Sequence, residues 1–168
     1  AILLKSLGDS ERAALPGWLH KLLSKSYPKQ LNQLADASRN RPPFTLRINT
    51  ERITVDDYHA LLTQAGIHAR VAGTCGLTLL QPIPVPELPH FQDGFVSVQD
   101  ASAQLAGLLL SLQPGMTVLD ACAAPGGKAC HLAELGASVT AADISKDRLN
   151  KVDESANRLH LSITPLLC

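Results

Sequence analysis

Apolar positions near the start of the chain predict two short helices. One set of apolar residues recurs at helical spacing after Pro16: Trp18, Leu19, Leu22 and Leu23. Pro28 should interrupt this helix or begin another, because proline disrupts a helix interior. In the second helix we expect one apolar set to pack inward: Leu31, Leu34 and Ala35.

Residues 44–81 predict a small β-α-β-β unit. Residues 44–49 alternate apolar and polar side chains as a strand does, and Thr54 begins a capping arrangement for a helix that Gly66 closes. Two further strands are predicted at 68–71 and 77–81. Four prolines between positions 82 and 89 then place a domain boundary within residues 80–94.

The remaining pattern predicts alternating strands and helices. Residues 95–98 form a strand-like run into Asp100, a plausible N-cap for the apolar helix 101–112. Strands are expected at 116–120, 138–143 and 163–167, with helices between them, the second of which Ser145 can cap. This order is typical of one half of a doubly wound parallel sheet.

The predicted fold class is therefore α/β, with a small N-terminal α+β pre-core domain followed by the first half of a Rossmann-like sheet. We expect residues 1–15 to be a linker or the end of a preceding domain, residues 16–94 the pre-core domain, and residues 95–168 a partial ligand-binding domain.

Composition excludes several classes of protein. The chain of 168 residues is 45% hydrophobic and 18% charged, which suits one sizeable core or two small ones. No apolar run approaches the ~20 residues of a membrane span, and residues 1–5 are too short for a signal peptide, so no membrane partner is expected. The four cysteines show neither C-x-x-C pairing nor metal-ligand spacing, which favours a reduced, cytoplasmic setting.

Charge is distributed unevenly along the chain. Residues 1–52 contain nine Lys or Arg against four Asp or Glu, and the remainder contains six against eleven. A basic first third is suited to a polyanion such as RNA, although exposed basic residues are also ordinary. The candidate contacts are Lys21, Lys25, Lys29, Arg39, Arg41, Arg47 and Arg52.

The stretch from Met116 to Lys128 is the candidate ligand site. An apolar run ends in Asp120, a loop with two glycines follows, and helical periodicity begins at Lys128. Glycine lets a ligand approach the backbone, and the first N–H groups of a helix carry partial positive charge. The next strand ends in Asp143, where an acidic residue typically binds ribose hydroxyls. Loop and acid together predict an adenosine-type ligand; a simple connecting turn is the alternative.

The residues that the loop lacks narrow the choice of ligand. A Walker A loop has a glycine and a Ser or Thr at the positions that Cys122 and Ala129 occupy. The glycine pattern of a dinucleotide site is also incomplete, which disfavours NAD. S-adenosylmethionine, which has a ribose but no phosphate, fits better.

The segment Asp120–Lys128, with the sequence DACAAPGGK, resembles the cofactor motif of the RNA cytosine-C5 methyltransferases. Residues 98–104 (VQDASAQ) and 41–50 (RPPFTLRINT) extend the likeness upstream. It is closest to the bacterial Sun/Fmu type, which modifies small-subunit ribosomal RNA, and it covers nearly the whole chain from Trp18 onward. The resemblance implies S-adenosylmethionine as cofactor and ribosomal RNA as partner.

The resemblance also implies the cofactor-binding residues. In the loop, mostly through backbone groups, they are Cys122, Ala123, Ala124, Pro125, Gly126, Gly127 and Lys128. Asp143 is implied at the ribose, while Asp120 either accepts from loop amides or holds the turn. The chain departs from the family pattern at residues 128–130, where Lys-Thr-Thr is commoner, which weakens hydroxyl contacts but leaves the loop intact.

The family's catalytic cysteines are absent from the sequence. Family members add a cysteine thiolate to C6 of cytosine, and their two cysteines lie in Thr-Cys-Ser and Pro-Cys segments that do not occur here. We therefore name no catalytic residue and expect a truncated methyltransferase that is inactive alone. His131 is expected at a surface helix position, and Arg47 and Asn49 either contact RNA or lie on a half-exposed strand face.

Two alternative functions stay open: a non-catalytic RNA- or cofactor-binding module, and a different Rossmann-like enzyme that uses NAD. The first strand of the site, residues 118–121, is also expected to expose an unpaired edge. Self-association through this edge is a further expectation.

Overall fold

The computed structural model describes residues 15–168, so residues 1–14 of the predicted linker lie outside the described residues. Contacts divide the chain into two compact units, one that ends at Pro42 and one from Pro43 to Cys168. Within residues 15–168, no helix combines the length and the apolar character that a membrane span requires.

The first unit contains two short helices, α1 (Gly17–Ser26) and α2 (Leu31–Arg39). Pro28 lies between them, which confirms the predicted interruption. The prediction that Leu34 packs inward is wrong, because 37% of this residue is exposed. Neither helix contains a buried residue, since two short helices can cover little of each other's apolar surface.

The second unit begins with a four-stranded antiparallel sheet in the order β2-β3-β1-β4. Its strands are β1 (Phe44–Ile48), β2 (Ala69–Ala72), β3 (Gly76–Leu79) and β4 (Val96–Val98). Helix α3 (Val55–Gln64) connects β1 to β2, and a short 3-10 helix (Val85–Glu87) precedes β4. The predicted β-α-β-β unit is confirmed, with strand ends displaced by one or two residues.

Side chains from this sheet and from α3 form the first hydrophobic core. The buried members are Leu46, Ile48, Tyr58, Leu62, Leu77, Leu79, Leu88 and Val96. Tyr58 donates its phenolic hydrogen to the carbonyl of Pro89 at 2.8 Å, so the polar end of this buried side chain is satisfied. This bond ties the proline-rich segment to α3.

A three-stranded parallel sheet in the order β5-β6-β7 follows, as the alternating pattern predicted. Its strands are β5 (Thr117–Asp120), β6 (Ser138–Asp143) and β7 (Ile163–Leu167). Its helices are α4 (Ala101–Leu109), α5 (Gly127–Glu134) and α6 (Lys146–Leu159). A second core forms between this sheet and its helices, with Leu132, Val139, Leu149 and Val152 among its buried residues.

Side-chain caps begin three of the helices, as the sequence predicted. Thr54 accepts from the N–H of Asp57, Asp100 from that of Ser102, and Ser145 from that of Arg148. Each cap satisfies an N–H that the first turn of a helix leaves without a backbone partner. The cap at Ser145 begins α6 two residues after Asp143, which fixes where the chain turns away from the second sheet.

Strand β4 is hydrogen-bonded to the first sheet, through the register Leu46–Val98 to Ile48–Val96. The first sheet therefore extends in hydrogen bonding to Val98, past the predicted boundary at residue 94. Both sheets lie in the single compact unit from Pro43 to Cys168. The domain boundaries themselves stay predictions.

Among the described strands, β5 is an edge of the parallel sheet, since it pairs only with β6. Leu119 on this strand is 60% exposed. The expected open edge is thus confirmed for the part of the chain that the structure describes, and self-association through it stays a prediction.

Three polar residues that were expected at or near the surface are buried, and these predictions are wrong. Arg47 is 1% exposed, and Asn49 and His131 are also buried. Arg47 forms an ion pair with Glu134, and Asn49 donates to the carbonyl of Gly94. His131 packs against Gly107 of α4: a Cβ added to Gly107 would lie 2.9 Å from the Nδ1 atom of His131. Helical and strand periodicity did not reveal that other elements cover these faces.

Burial of His131 predicts an acid sensitivity. Burial, with Arg47 nearby, lowers the pKa of His131 from 6.5 to about 4. Between these two pKa values the unfolded chain binds a proton at His131 and the folded protein does not, so acid favours unfolding. The stability that the neutral imidazole contributes is therefore fully present above pH 6.5 and is lost as the pH falls from 6.5 towards 4. We expect this residue to contribute a loss of about 2 kcal/mol in the free energy of unfolding between about pH 7 and about pH 5.

The measurement is urea unfolding of the protein and of the His131→Gln variant at both pH values. The variant lacks the titrating group and should lose less stability on acidification. Glu134, whose pKa burial raises, acts with the opposite sign and cancels in the comparison. Equal losses in the two proteins would contradict the assignment to His131.

Candidate functional site

The predicted cofactor loop, Cys122 to Lys128, follows the end of β5 at Asp120, and its last two residues, Gly127 and Lys128, are the first residues of α5. The peptide bond between Ala124 and Pro125 is cis, and Gly126 has a φ of 106°. A Cβ on Gly126 would lie 3.2 Å from Cα of Val152 on α6. The backbone angle and the close approach of α6 both require glycine at this position.

Gly126 is also the N-cap of α5, and it has no side chain with which to cap the helix. The N–H groups of the first turn, at Gly127 and Lys128, therefore have no side-chain acceptor among the described residues. The positive end of the helix dipole adds to their partial charge. The start of α5 is suited to a ligand carboxylate or another anionic group.

Asp143 is the last residue of β6 and is 2% exposed. Its Oδ2 atom accepts from the N–H of Ala124 at 3.3 Å, and Oδ1 accepts from the N–H of Ser145 at 3.1 Å. The parallel pairing of β5 with β6 brings this carboxylate beside the cofactor loop. A carboxylate has about four acceptor positions, and these two bonds together with Arg148, which lies 3.4 Å from Oδ1, leave about one for a ligand hydroxyl. The role at a ribose stays a prediction.

Arg148, in the first turn of α6, was not singled out from the sequence. Its Nη1 atom lies 3.4 Å from Oδ1 of Asp143, and Nη2 donates to the carbonyl of Ala124 at 2.9 Å. Asp143 and Arg148 thus hold both the N–H and the C=O of Ala124. Arg148 has no motif signal of its own in the sequence, and only the turn from β6 into α6 brings it to the loop.

Asp120 closes the other end of the cofactor loop. Its Oδ1 atom accepts from the N–H of Cys122 at 3.3 Å, in the way that the sequence suggested for a loop amide. This bond orients the turn after β5. The contact fits both alternatives, acceptance from a loop amide and support of the turn, and the same carboxylate also lines the adjoining cavity.

A cavity of about 170 Å³ lies against the cofactor loop. Its lining includes most of the predicted residues: Cys122, Ala123, Ala124, Pro125, Gly127 and Lys128. Gln99, Ala103 and Asp120 complete it. A second cavity of about 180 Å³, between α4 and β5, shares Asp120 and Lys128 with the first. Alanine and glycine at the wall leave the backbone accessible to a ligand.

Two predicted residues do not line the 170 Å³ cavity. Gly126 lies on the opposite side of the loop, at a cavity of about 320 Å³ that Arg47 and Arg158 also line. Asp143 lies behind the loop, bonded to Ala124. Gln99 was part of the motif-like segment 98–104, but the sequence did not assign it to the wall of the cavity.

The four cysteines are all free, and they lie in two kinds of environment. Cys75 and Cys130 are buried, and burial raises the pKa of both thiols, that of Cys130 to about 11. A thiol with a raised pKa is a poor nucleophile near neutral pH, because the thiolate is the reactive form. Cys122 is exposed in the cofactor loop, and Cys168 is exposed after β7.

Comparison with known proteins matches both parts of the chain. A family model described as an RsmF/B-like methyltransferase, ferredoxin-like domain, matches residues 15–86. A second model, 16S rRNA methyltransferase RsmB/F, matches residues 107–168. The first model covers three of the four strands of the antiparallel sheet, β1 to β3, and the second covers all three strands of the parallel sheet.

Curated relatives named ribosomal RNA small subunit methyltransferase B are similar over most of the chain. The protein from Vibrio cholerae is 45% identical over 160 residues, which cover 92% of this chain and 36% of the relative. The protein from Pseudomonas putida is 44% identical, with 94% of this chain and 37% of the relative covered. The chain spans little more than a third of the length of the curated relatives that it matches.

Solved structures show the same fold. A methyltransferase homologue from Pyrococcus horikoshii superposes with a TM-score of 0.80 at 25% identity, covering 96% of this chain and 56% of that one. The structure of NSun6 from the same organism has a TM-score of 0.79 at 16% identity, covering 93% and 66%, and shows the fold alone. With the matching models and the curated relatives, the sequence resemblance is confirmed: the chain belongs to the RsmB/F family of 16S rRNA methyltransferases.

Proposed function

We propose that this chain carries the S-adenosylmethionine-binding half of a methyltransferase that modifies C5 of cytosine in small-subunit ribosomal RNA. The observation that carries the proposal is the loop between β5 and α5, which has the family motif in sequence and presents the first N–H groups of α5 without a side-chain cap. The curated relatives, named as small-subunit ribosomal RNA methyltransferases, support the substrate class.

The residues at the loop fit this cofactor. The first turn of α5 suits the carboxylate of the methionine moiety, and the alanine-rich wall leaves room beside the backbone. Asp143 is the residue proposed for the ribose hydroxyls, and its bond to the N–H of Ala124 holds its carboxylate against the loop. The proposed contacts in the loop are Cys122, Ala123, Ala124, Pro125, Gly126, Gly127 and Lys128.

When bound, S-adenosylmethionine supplies an electrophilic methyl group. The described residues contribute binding and orientation. We assign no catalytic residue, because Cys75 and Cys130 are buried thiols with raised pKa values and Cys122 belongs to the cofactor loop. Because this chain is expected to be inactive alone, a methyl-transfer assay with ribosomal RNA separates the proposal from a non-catalytic binding module only when it is done on the complete methyltransferase that is proposed to contain the chain.

Ribosomal RNA is the proposed partner, and a cytoplasmic setting agrees with four free cysteines. The exposed basic residues that suit a polyanion are Lys21, Lys25, Lys29, Arg39, Arg41 and Arg52. Arg47, which the sequence also suggested for RNA contact, is buried in an ion pair with Glu134 and is not part of this exposed set.

Binding of S-adenosylhomocysteine tests the proposed site directly. We expect the purified protein to bind it and not NAD in calorimetry, and Gly126→Val to weaken binding at least about tenfold. Valine is strained at a φ of 106°, and its Cβ would lie 3.2 Å from Cα of Val152.

The matched control is Gly115→Val, at a glycine with a φ of 83° and no atom within 4 Å of the position that a Cβ would occupy. This change introduces backbone strain away from the cofactor loop and should leave the affinity near that of the unchanged protein. Equal affinities for the two valine variants would argue against the proposed loop.

The role of Asp143 can be separated from its role in holding the loop. We expect Asp143→Asn to lower the free energy of unfolding by about 1–3 kcal/mol, because an amide cannot accept from both N–H groups and cannot pair with Arg148. If the carboxylate also accepts hydrogen bonds from the ribose hydroxyls, the unchanged protein should bind a deoxyribose analogue of S-adenosylhomocysteine more weakly than S-adenosylhomocysteine itself. The variant should bind the two ligands with similar affinity.

The matched control is Asp120→Asn, at a carboxylate that accepts from one loop amide. It should retain the discrimination between the two ligands. The measurements are urea unfolding and calorimetric titration with both ligands. The same discrimination in Asp143→Asn would show that this carboxylate only holds the loop.

A further inference from the structure

Arg47 of β1 has all of its polar contacts inside the protein. Its Nε atom donates to Oε2 of Glu134 at 2.8 Å, and Nη2 donates to Oε1 of the same carboxylate at 2.7 Å. Its Nη1 atom donates to Oε1 of Gln99 at 2.6 Å and to the carbonyl of Gly127 at 2.7 Å. The guanidinium is 1% exposed, so it is unavailable to a polyanion.

These contacts reach both ends of α5. Gly127 is the first residue of the helix and Glu134 is the last. A spacing of seven residues is close to two turns, so both lie on the helix face that meets Arg47. Side chains on a helix lean towards its N-terminus, which brings the Glu134 carboxylate back along this face. One rigid planar group therefore sets the position of α5 along its own axis.

Gln99 extends the same network to the wall of the 170 Å³ cavity. Its Nε2 atom donates to the carbonyl of Gly127 at 3.3 Å, and its backbone N–H donates to the carbonyl of Thr45 on β1 at 3.0 Å. Gln104 of α4 donates to the carbonyls of both Gln99 and Leu46. The first residue of α5, Gly127, is thus held to the antiparallel sheet by the side chains of Arg47 and Gln99. Both of these residues are fixed by further hydrogen bonds.

A buried ion pair by itself is weak support for stability, since desolvation of both charges offsets much of their attraction. The geometry of the hydrogen bonds of Arg47 shows instead which groups it holds in position. Two of the four hydrogen bonds of Arg47 serve Glu134, and the others fix Gln99 and the first residue of α5. An apolar replacement of similar volume would keep the packing and lose this fixation.

We propose that Arg47 is a positioning residue for the cofactor loop, and that it transmits the position of β1 to the N–H groups at the start of α5. The consequence is that cofactor affinity depends on the antiparallel sheet, and this part of the inference rests on the proposed function. Displacement of β1 would then move the start of α5.

The test combines two readouts on the whole chain. Hydrogen exchange follows four hydrogen-bonded amides of the loop and of the first turn of α5, here called the loop amides: Ala123 to Ala142, Ala124 to Asp143, Gly126 to Ala123 and Cys130 to Gly126. Calorimetry follows the affinity for S-adenosylhomocysteine. Exchange of the β6 amides reports global opening and is the internal reference.

Arg47→Lys keeps the charge and loses the planar fork. We expect the loop amides to exchange about tenfold faster relative to β6, and the dissociation constant to rise about tenfold. The control is Thr45→Val on the same strand, which removes a buried hydrogen bond to Thr78 and none to Arg47 or α5. It should change the stability without changing the exchange of the loop relative to β6.

A second variant keeps the proposal testable if a lone charge at this site prevents folding. Arg47→Met with Glu134→Met removes both charges together and keeps apolar volume, which is often tolerated in a core. We expect this double variant to melt within a few degrees of the unchanged protein and still to lose loop protection and affinity.

Unchanged loop exchange and affinity in both Arg47 variants would overturn the proposal and leave a purely structural ion pair. Failure of the unchanged protein to bind S-adenosylhomocysteine would instead refute the proposed function. The exchange readout would still decide whether Arg47 positions the loop, so the two failures are distinguishable.

Discussion

The cofactor loop depends on one buried carboxylate. Asp143 ends β6 with its side chain turned to the neighbouring crossover, where it accepts from the N–H of Ala124 and the N–H of Ser145. A buried carboxylate without partners would be costly, so the fold holds these amides around it. Because the Ser145 amide begins α6 and the Ala124 amide belongs to the loop, one group determines how both segments leave the sheet. Arg148 completes the arrangement by pairing with Asp143 and bonding to the carbonyl of Ala124.

The two sheets of the second unit meet through polar groups as well as apolar ones. Arg47, Gln99 and Gln104 connect β1, the segment after β4, α4 and α5 by side-chain hydrogen bonds. Among the described residues, no buried side-chain nitrogen or oxygen is left without a partner. A fully satisfied network of this kind specifies relative position more narrowly than hydrophobic contact does, because hydrogen bonds are directional.

These contacts give the two sheets different parts in forming the candidate site. The parallel sheet presents the cofactor loop at the carboxyl ends of its strands, where ligands bind in α/β folds. The antiparallel sheet supports the start of α5 from behind through Arg47. Burial raises the pKa of the Cys75 and Cys130 thiols, which agrees with the proposal that the described residues bind and orient the cofactor.

The sequence by itself determined the order and nature of the elements, the three side-chain caps and the location of the glycine loop. These depend on local rules, such as periodicity, capping and the need for glycine at positive φ, which act over a few residues. Only the tertiary structure decided the burial of Arg47, Asn49 and His131, the pairing of β4 with the first sheet, and the place of Arg148 beside the loop. Each of these joins residues that are distant in sequence or brought together by a turn of the chain, and periodicity along one element does not show which other element covers its face.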